Sequence, residues 1–118
     1  LRDVASQLVG ASRPSDVVSR YGGEELLVIL PNCGREDAML KAEMLRARVE
    51  SLSEAHGVPI TASFGVATVP DTSAAMGDVI PMADSALYAA KQAGRNCVRS
   101  APLRPQETQK GPRLATAV

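Results

Sequence analysis

The segment "RYGGEELLVIL", residues 20 to 30, constrains the fold more than any other part of the chain. A β-rich stretch, 16–21, precedes two glycines, and an apolar run, 26–30, follows them and is bounded by Pro31. Glycine adopts positive φ without steric cost, which suits a tight turn, and a short bounded apolar run is typical of a buried strand. The pattern predicts a β-hairpin with Gly22, Gly23, Glu24 and Glu25 at its tip.

Apolar periodicity predicts three helices around this hairpin. Residues 1–11 carry apolar side chains at i, i+3, i+4 and i+7, and residues 35–55 carry an apolar stripe opposite a charged face. A third helix is expected from Asp78, as its N-cap, to about Gln92, with Gly94 as its C-terminal stop.

Two further strands complete the predicted domain, an alternating stretch over residues 60–69 and a short one in 97–100. The element order predicts an α+β fold, an antiparallel sheet with packed helices in a ferredoxin-like layout. Residues 101–118 hold three of the eight prolines and no apolar periodicity. We interpret them as a disordered tail or linker beyond a domain formed by residues 1–100.

Composition excludes several classes of function. Thirteen basic and thirteen acidic side chains cancel, so no global field attracts nucleic acid or an anionic membrane surface. Aromatic residues make up 3% of the chain, too few for a base-stacking platform. No apolar run approaches the ~18 residues of a membrane span, and two cysteines, Cys33 and Cys97, without histidine partners indicate a reducing, cytoplasmic setting. We therefore expect no nucleic acid partner and no membrane contact from this domain.

The adjacent carboxylates Glu24 and Glu25 are the first candidate for chemistry. Carboxylates beside glycines can present oxygen atoms to a hard cation such as Mg²⁺, which in turn clamps a polyphosphate. The alternative is a solvated turn that happens to be acidic. Spacing alone does not separate the two interpretations.

Lys91 and Arg95 are the second candidate. They lie four residues apart near a helix C-terminus and can share one face, where two cations could hold a triphosphate. Basic residues at that end of a helix also complement its dipole, which is the alternative explanation.

The third candidate is Arg13 with Asp16 in "RPSD", where Pro14 fixes a turn. Arginine can contact a guanine edge and a phosphate, and aspartate can accept hydrogen bonds from guanine N–H groups. The alternative is a surface ion pair of little energetic value. Asp84, on an otherwise apolar helix, can equally face solvent, and His56 is interpreted as inert.

Four motifs in order, "RYGGEELLVILP", "AEMLR", "ITASFGVA" and "ADSALYAAKQAGRN", resemble the GGDEF family of diguanylate cyclases over about residues 1–100. The family signature GG(D/E)EF corresponds to residues 22–26, with Leu26 in place of the usual phenylalanine. Leu26 keeps an apolar side chain pointing inward, so little functional cost is expected.

The resemblance implies that two GTP molecules condense to cyclic di-GMP and two pyrophosphates between two domains that meet face to face as a homodimer. It implies Glu24 as a ligand of Mg²⁺ or Mn²⁺ and Glu25 as a required residue beside the metal and the reacting groups. Gly22 and Gly23 would form the turn over the nucleotide. Lys91 and Arg95 match the residues that grip the β- and γ-phosphates.

Arg13 and Asp16 match the family's RxxD inhibitory site, which binds the product cyclic di-GMP. A further arginine from the next helix often assists there, and either Arg46 or Arg48 could serve. GTP and cyclic di-GMP are thus the implied ligands.

One departure concerns the family's first strand, which carries a metal-binding aspartate and has no counterpart in residues 1–118. We expect the chain to be an excised piece of a longer protein and inactive by itself, while the parent, which another domain could anchor to a membrane, is an active, product-inhibited cyclase. Without that strand the sheet would lack its central strand and expose open edges, which favours an altered assembly such as a swapped dimer. The alternative function is a non-catalytic cyclic di-GMP receptor or dimerising module, but the signature acids are retained.

Overall fold

The computed structural model describes residues 2–20, 25–104 and 114–117. The described residues form three helices and five strands, in the predicted α+β class. The helices are α1 (Arg2–Gly10), α2 (Arg35–His56) and α3 (Met76–Gln92), and the strands are β1 (Val17–Arg20), β2 (Leu26–Pro31), β3 (Phe64–Val69), β4 (Val98–Ser100) and β5 (Leu114–Ala117).

Strands β2 and β3 form the centre of the core because both of their faces are buried. Alternate side chains point to opposite sides, as strand geometry requires. One face packs against α1 and α2, through buried residues that include Val28, Leu30 and Val66. The other face packs against α3, with Leu27 and Ala67 among its buried residues.

Both ends of α2 agree with the sequence prediction, whereas the start of α3 does not. Helix α2 begins at Arg35 and ends at Gly57, whose φ of 71° is the left-handed conformation expected of a C-terminal glycine. The predicted N-cap of α3 was wrong, because Ala75 occupies that position without a side-chain hydrogen bond and Asp78 lies in the first turn. An acid there complements the helix dipole without capping it. Among the described residues, no helix combines the length and apolarity needed to cross a membrane.

The sheet has the strand order β1-β2-β5-β3-β4. The hairpin strands β1 and β2 are antiparallel, as predicted. Strand β5 lies at the centre and runs antiparallel to both neighbours, so that Thr116 is opposite Ile29 on β2 and Ala67 on β3. Among the described strands, β3 and β4 are the one pair that runs parallel.

The position of β5 corrects the prediction of a disordered tail over residues 101–118. Residues 114–117 are strand, and Ala101 is buried with its N–H donating to the Val66 carbonyl at 2.7 Å. Residues 105–113 and 118 lie outside the described part of the chain. The expected gap at the centre of the sheet is likewise filled, by this chain's own residues. A four-residue segment, "LATA", has too little pattern to predict a strand, since its conformation depends on pairing at both edges.

Helix α3 approaches β3 closely at Gly65. A Cβ atom placed on Gly65 would lie 2.7 Å from the Leu87 Cα and closer still to the Ala83 carbonyl oxygen and the Leu87 nitrogen. The obstructing atoms are helix backbone, which cannot rotate aside as a side chain can. The absence of a side chain at Gly65 therefore sets the distance between the strand and the helix.

Replacing Gly65 tests this contact. We expect Gly65→Ala to lower the free energy of unfolding by about 1–3 kcal/mol or more, since backbone must move to admit the methyl group. Gly77→Ala is the control, because a Cβ there meets no atom within 4 Å, and it should change stability by less than about 1 kcal/mol. Urea denaturation measures both. Equal stability of the two variants would show that α3 does not rest on Gly65.

The central position of β5 can be tested at Thr116. Thr116→Pro removes a backbone N–H from a strand paired on both edges, and we expect a loss of about 2 kcal/mol or more from the unpaired acceptor. Thr116→Ser keeps that N–H and is the matched control. Thermal unfolding of the two variants gives the comparison. If both unfold at the same temperature, residues 114–117 do not occupy the sheet in solution.

Candidate functional site

Helix α3 ends in a hydrogen-bonded turn that fixes the backbone position of Arg95. The Gly94 N–H donates to the Lys91 carbonyl at 3.4 Å, and the Arg95 N–H donates to the Ala90 carbonyl at 3.0 Å. These two bonds are the Schellman pattern, which needs a left-handed residue after the helix. Gly94 supplies it with a φ of 115°. The predicted stop at Gly94 is thus confirmed, and Arg95 directly follows the last turn.

Two sequence-predicted candidates, Glu25 and Lys91, meet in the folded chain. Glu25 lies immediately before β2, and Lys91 lies in the last turn of α3. The Lys91 Nζ is 4.0 Å from the Glu25 Oε2, with the side chains 35% and 41% exposed. An ion pair this exposed adds little stability. Its significance is that it places these two side chains next to each other. A carboxylate and an ammonium at the same accessible spot can together hold a cation and an anion.

Other candidates at the hairpin tip fall outside the described residues. These are Gly22, Gly23 and Glu24. Leu26, the next residue of the signature, packs against the core formed by α1, α2 and the sheet. Its apolar side chain points inward, as predicted.

Arg13 and Asp16 form a closed ion pair. The Asp16 Oδ2 accepts from the Arg13 backbone N–H at 2.8 Å, and the Asp16 Oδ1 accepts from the Arg13 Nη2 at 2.9 Å and its Nε at 3.1 Å. The Arg13 Nη2 also donates to the Pro31 carbonyl at the end of β2, at 2.8 Å. Asp16 has no exposed side-chain surface, whereas Arg13 is 49% exposed. One side of the guanidinium thus remains accessible.

These contacts keep both groups charged. Burial raises the pKa of Asp16, but hydrogen bonds from the Arg13 side chain and backbone outweigh it, so the pKa of that carboxyl lies below its ordinary value. The side-chain hydrogen bond to Asp16 in turn raises the pKa of Arg13. At neutral pH this corner presents an arginine cation whose counter-charge is buried beneath it.

Lys41 is a basic residue beside this corner that the sequence patterns did not identify. Its Nζ donates to the Ala11 carbonyl, and its charge helps to lower the pKa of Asp16. Lys41 lies on α2, and only the packing of α1 and the following turn against α2 brings it there. No spacing rule in the sequence relates Lys41 to Asp16.

Arg46, one of the two arginines predicted to assist Arg13 and Asp16, forms its hydrogen bonds with other residues. Its guanidinium donates to Glu43, to Glu50 and to Asn96, the last at 2.9 Å. Arg48 is exposed and makes no side-chain hydrogen bond or ion pair to another described residue. Neither arginine is joined to Arg13 or Asp16.

No described residues form a ready-made metal cage. Among residues 2–20, 25–104 and 114–117 there is no group of three or more His, Cys, Asp or Glu side chains that could hold a metal ion. Asp84 is half-buried on α3, and His56 is exposed at the end of α2. Cys33 and Cys97 are free thiols, and burial raises the pKa of Cys33. A metal at the hairpin tip would need ligands from outside this part of the chain or from a bound phosphate.

Comparisons with known proteins agree with the motifs. The sequence profile of the family described as "Diguanylate cyclase, GGDEF domain" matches residues 1–97. Diguanylate cyclase A of Treponema denticola is 37% identical over 101 residues, which cover 83% of this chain and 27% of that protein. The response regulator PleD of Caulobacter vibrioides is 36% identical over 103 residues, which cover 83% of this chain and 23% of that protein.

A solved structure resembles this fold as well. It is described as the active GGEEF domain of a diguanylate cyclase from Vibrio cholerae, with a TM-score of 0.78 and 27% sequence identity. The match covers 86% of this chain and 66% of that one. The chain thus spans about a quarter of the length of the two curated relatives that it matches.

Proposed function

Because this chain belongs to the GGDEF family of diguanylate cyclases, we propose that the protein carrying it condenses two molecules of GTP into cyclic di-GMP. The observation that most supports this is the 4.0 Å approach of the Lys91 Nζ to the Glu25 Oε2. It joins the signature acid to the phosphate-binding candidate across 66 residues of chain. Neither a solvated acidic turn nor a helix-dipole role for Lys91 requires that meeting.

The reaction consists of two identical phosphoryl transfers. The 3′-oxygen of one GTP forms a bond to the α-phosphorus of the other, and the bond from that phosphorus to the bridging oxygen of the β-phosphate breaks. Pyrophosphate leaves with the bonding electrons, and the hydroxyl proton is released to solvent. Each domain holds one GTP, so two copies of the domain meet face to face. Positioning and charge supply most of the catalysis in such chemistry.

This chain's residues bind and orient the nucleotide. Lys91 and Arg95 hold the β- and γ-phosphates, and the Arg95 guanidinium has no hydrogen-bond or ion-pair partner among the described side chains. Gly22 and Gly23 let the backbone approach the nucleotide closely. Glu25 lies beside the reacting groups, with its carboxylate accessible to them.

Mg²⁺ or Mn²⁺ fits the donor set at the hairpin tip. Mg²⁺ is usually bound by one or two carboxylates together with substrate phosphates, and Glu25 offers an exposed carboxylate beside a phosphate-binding cation. Glu24 is the proposed direct ligand, with Glu25 close by. When bound, the metal neutralises charge on the phosphates of the nucleotide.

Arg13 and Asp16 are proposed to bind the product and restrain the enzyme. The half-exposed Arg13 guanidinium can contact a phosphate or a guanine edge of cyclic di-GMP. Lys41 adds a second positive charge close to Asp16. Because Arg13 is already held by Asp16 and by the Pro31 carbonyl, it would lose little conformational entropy on binding.

The catalytic proposal is tested at Glu25 in the full-length protein with GTP and Mg²⁺. We expect Glu25→Gln to lower kcat by about 10²-fold or more, the usual cost of losing a positioned charged group beside a reacting centre. Glu54→Gln, an exposed position on α2, is the control and should keep wild-type turnover. Chromatographic measurement of cyclic di-GMP and pyrophosphate gives both rates.

Two results would count against the catalytic proposal. Absence of cyclic di-GMP from a dimeric wild-type protein would refute the cyclase activity and favour a receptor. Unchanged turnover in Glu25→Gln would refute the role assigned to that residue alone.

Product binding is tested by calorimetry with cyclic di-GMP. Arg13→Ala should weaken affinity by about 10-fold or more, since a charge-assisted hydrogen bond contributes about 1.5–3 kcal/mol. Arg99→Ala removes an exposed arginine on β4 and should leave affinity unchanged. Equal affinity of the Arg13 variant and the wild type would reject the inhibitory site at this corner.

A further inference from the structure

Arg95 lies in an unusual stretch of backbone. Three consecutive residues have positive φ, Gly94 at 115°, Arg95 at 65° and Asn96 at 48°. Glycine and asparagine tolerate this region, whereas arginine rarely adopts it. A residue held in a sparsely populated conformation needs surrounding contacts that determine it.

Asn96 provides those contacts on the C-terminal side of Arg95. Its Oδ1 accepts from the Arg46 Nη1 at 2.9 Å, and its Nδ2 donates to the Glu50 Oε2 at 2.8 Å. Its backbone N–H donates to the Ser63 Oγ at 3.1 Å, just before β3. Both side-chain polar atoms and the backbone donor of Asn96 are therefore engaged.

Arg46 closes this set of contacts into a ring. Its Nη1 also donates to the Glu50 Oε1 at 3.2 Å, so Arg46, Glu50 and Asn96 are each bonded to the other two. Arg46 is only 16% exposed, and Glu43 holds its other side through a bond of 2.9 Å. Hydrogen bonds to Glu43 and then Glu50 raise the pKa of Arg46, so the guanidinium stays charged.

The ring connects α2 to the turn after α3. On one side Arg95 is held to α3 by its N–H bond to the Ala90 carbonyl, and on the other side Asn96 is held to α2. The Arg95 side chain itself is exposed and has no partner among the described side chains. The direction of the Arg95 side chain is therefore determined by two anchors, a backbone hydrogen bond to α3 and the side-chain hydrogen bonds of Asn96 to α2.

We infer that Arg46, acting through Glu50 and Asn96, is a positioning residue that presents the Arg95 guanidinium beside Lys91 to the phosphates of the nucleotide. This inference rests on the phosphate-binding role proposed for Arg95. Without the ring, the turn after Gly94 loses its anchor to α2, and Arg95 samples directions that do not converge with Lys91. Arg46 acts on GTP only through Arg95 and is distinct from the product site at Arg13.

The test compares Arg46→Met with Arg46→Lys and with Arg99→Met in the full-length protein. Methionine keeps the packing of the arginine stem but removes both hydrogen bonds that Arg46 donates within the ring, to Glu50 and to Asn96. We expect KM for GTP to rise about 10-fold or more with kcat changed much less, because a misdirected phosphate contact weakens binding. Lysine keeps one charged contact and should recover part of the loss, and Arg99→Met should match the wild type.

A second variant covers the possibility that Arg46→Met folds poorly. Asn96→Asp keeps a residue that tolerates positive φ and an acceptor for Arg46, but it places a carboxylate against Glu50 in place of the Nδ2 donor. It should raise KM in the same way. A KM equal to wild type in either folded variant, while Lys91→Met raises KM, would overturn the inference and leave the proposed activity standing.

A structural readout separates failure of the inference from failure of the proposed function. We expect Arg46→Met to speed amide hydrogen exchange at Arg95 and Asn96 by at least about 10-fold, with no change at Leu87 within α3. If wild-type protein makes no cyclic di-GMP, the proposed function fails, but this exchange experiment still decides whether Arg46 anchors the turn. Unchanged exchange at both amides would overturn the inference whatever the enzyme does.

Discussion

The backbone groups between β2 and β3 can be paired only within the sheet, because helices cover both faces of these strands. Val28 and Val66 have no exposed surface and Leu30 is 2% exposed, so water cannot serve as their partner. A buried peptide group without a hydrogen bond costs about as much as a lost hydrogen bond, roughly 1–3 kcal/mol. Strand β5 satisfies this requirement from both sides. Both elements that carry candidate residues, the hairpin and α3, are positioned by the two strands that β5 joins.

The charged residues of the candidate site differ in whether their charges are already paired within the protein. Arg13 and Arg46 are each held by carboxylates, and the charge of Asp16 is fully buried. Lys91 and Glu25 remain about one third exposed or more, at a separation longer than an ordinary hydrogen bond. The Arg95 side chain is exposed. The engaged arginines therefore organise the backbone, while Lys91, Arg95 and Glu25 remain available to a ligand.

The sequence predicted those elements in which local signals agree with burial. Helix α2 combines a long apolar stripe with a glycine at its end, and β2 is an apolar run between a turn and a proline, so both were predicted nearly to the residue. The strand predicted from Ile60 begins only at Phe64. The Ile60 N–H instead donates to the Ser53 Oγ at 2.7 Å, so its backbone donor is bonded to α2. Alternation in the sequence cannot reveal such a competing partner.

The sequence by itself determined the hairpin, the three helices and the family, and it supplied the proposed nucleotide-binding residues, because these depend on spacing along the chain. Only the tertiary structure decided that "LATA" is the central strand, that Lys91 meets Glu25, and that Lys41 and Asn96 belong beside the candidate residues. Each of these depends on contacts between segments distant in sequence. Their energy comes from pairing and packing across the sheet, which no local pattern encodes.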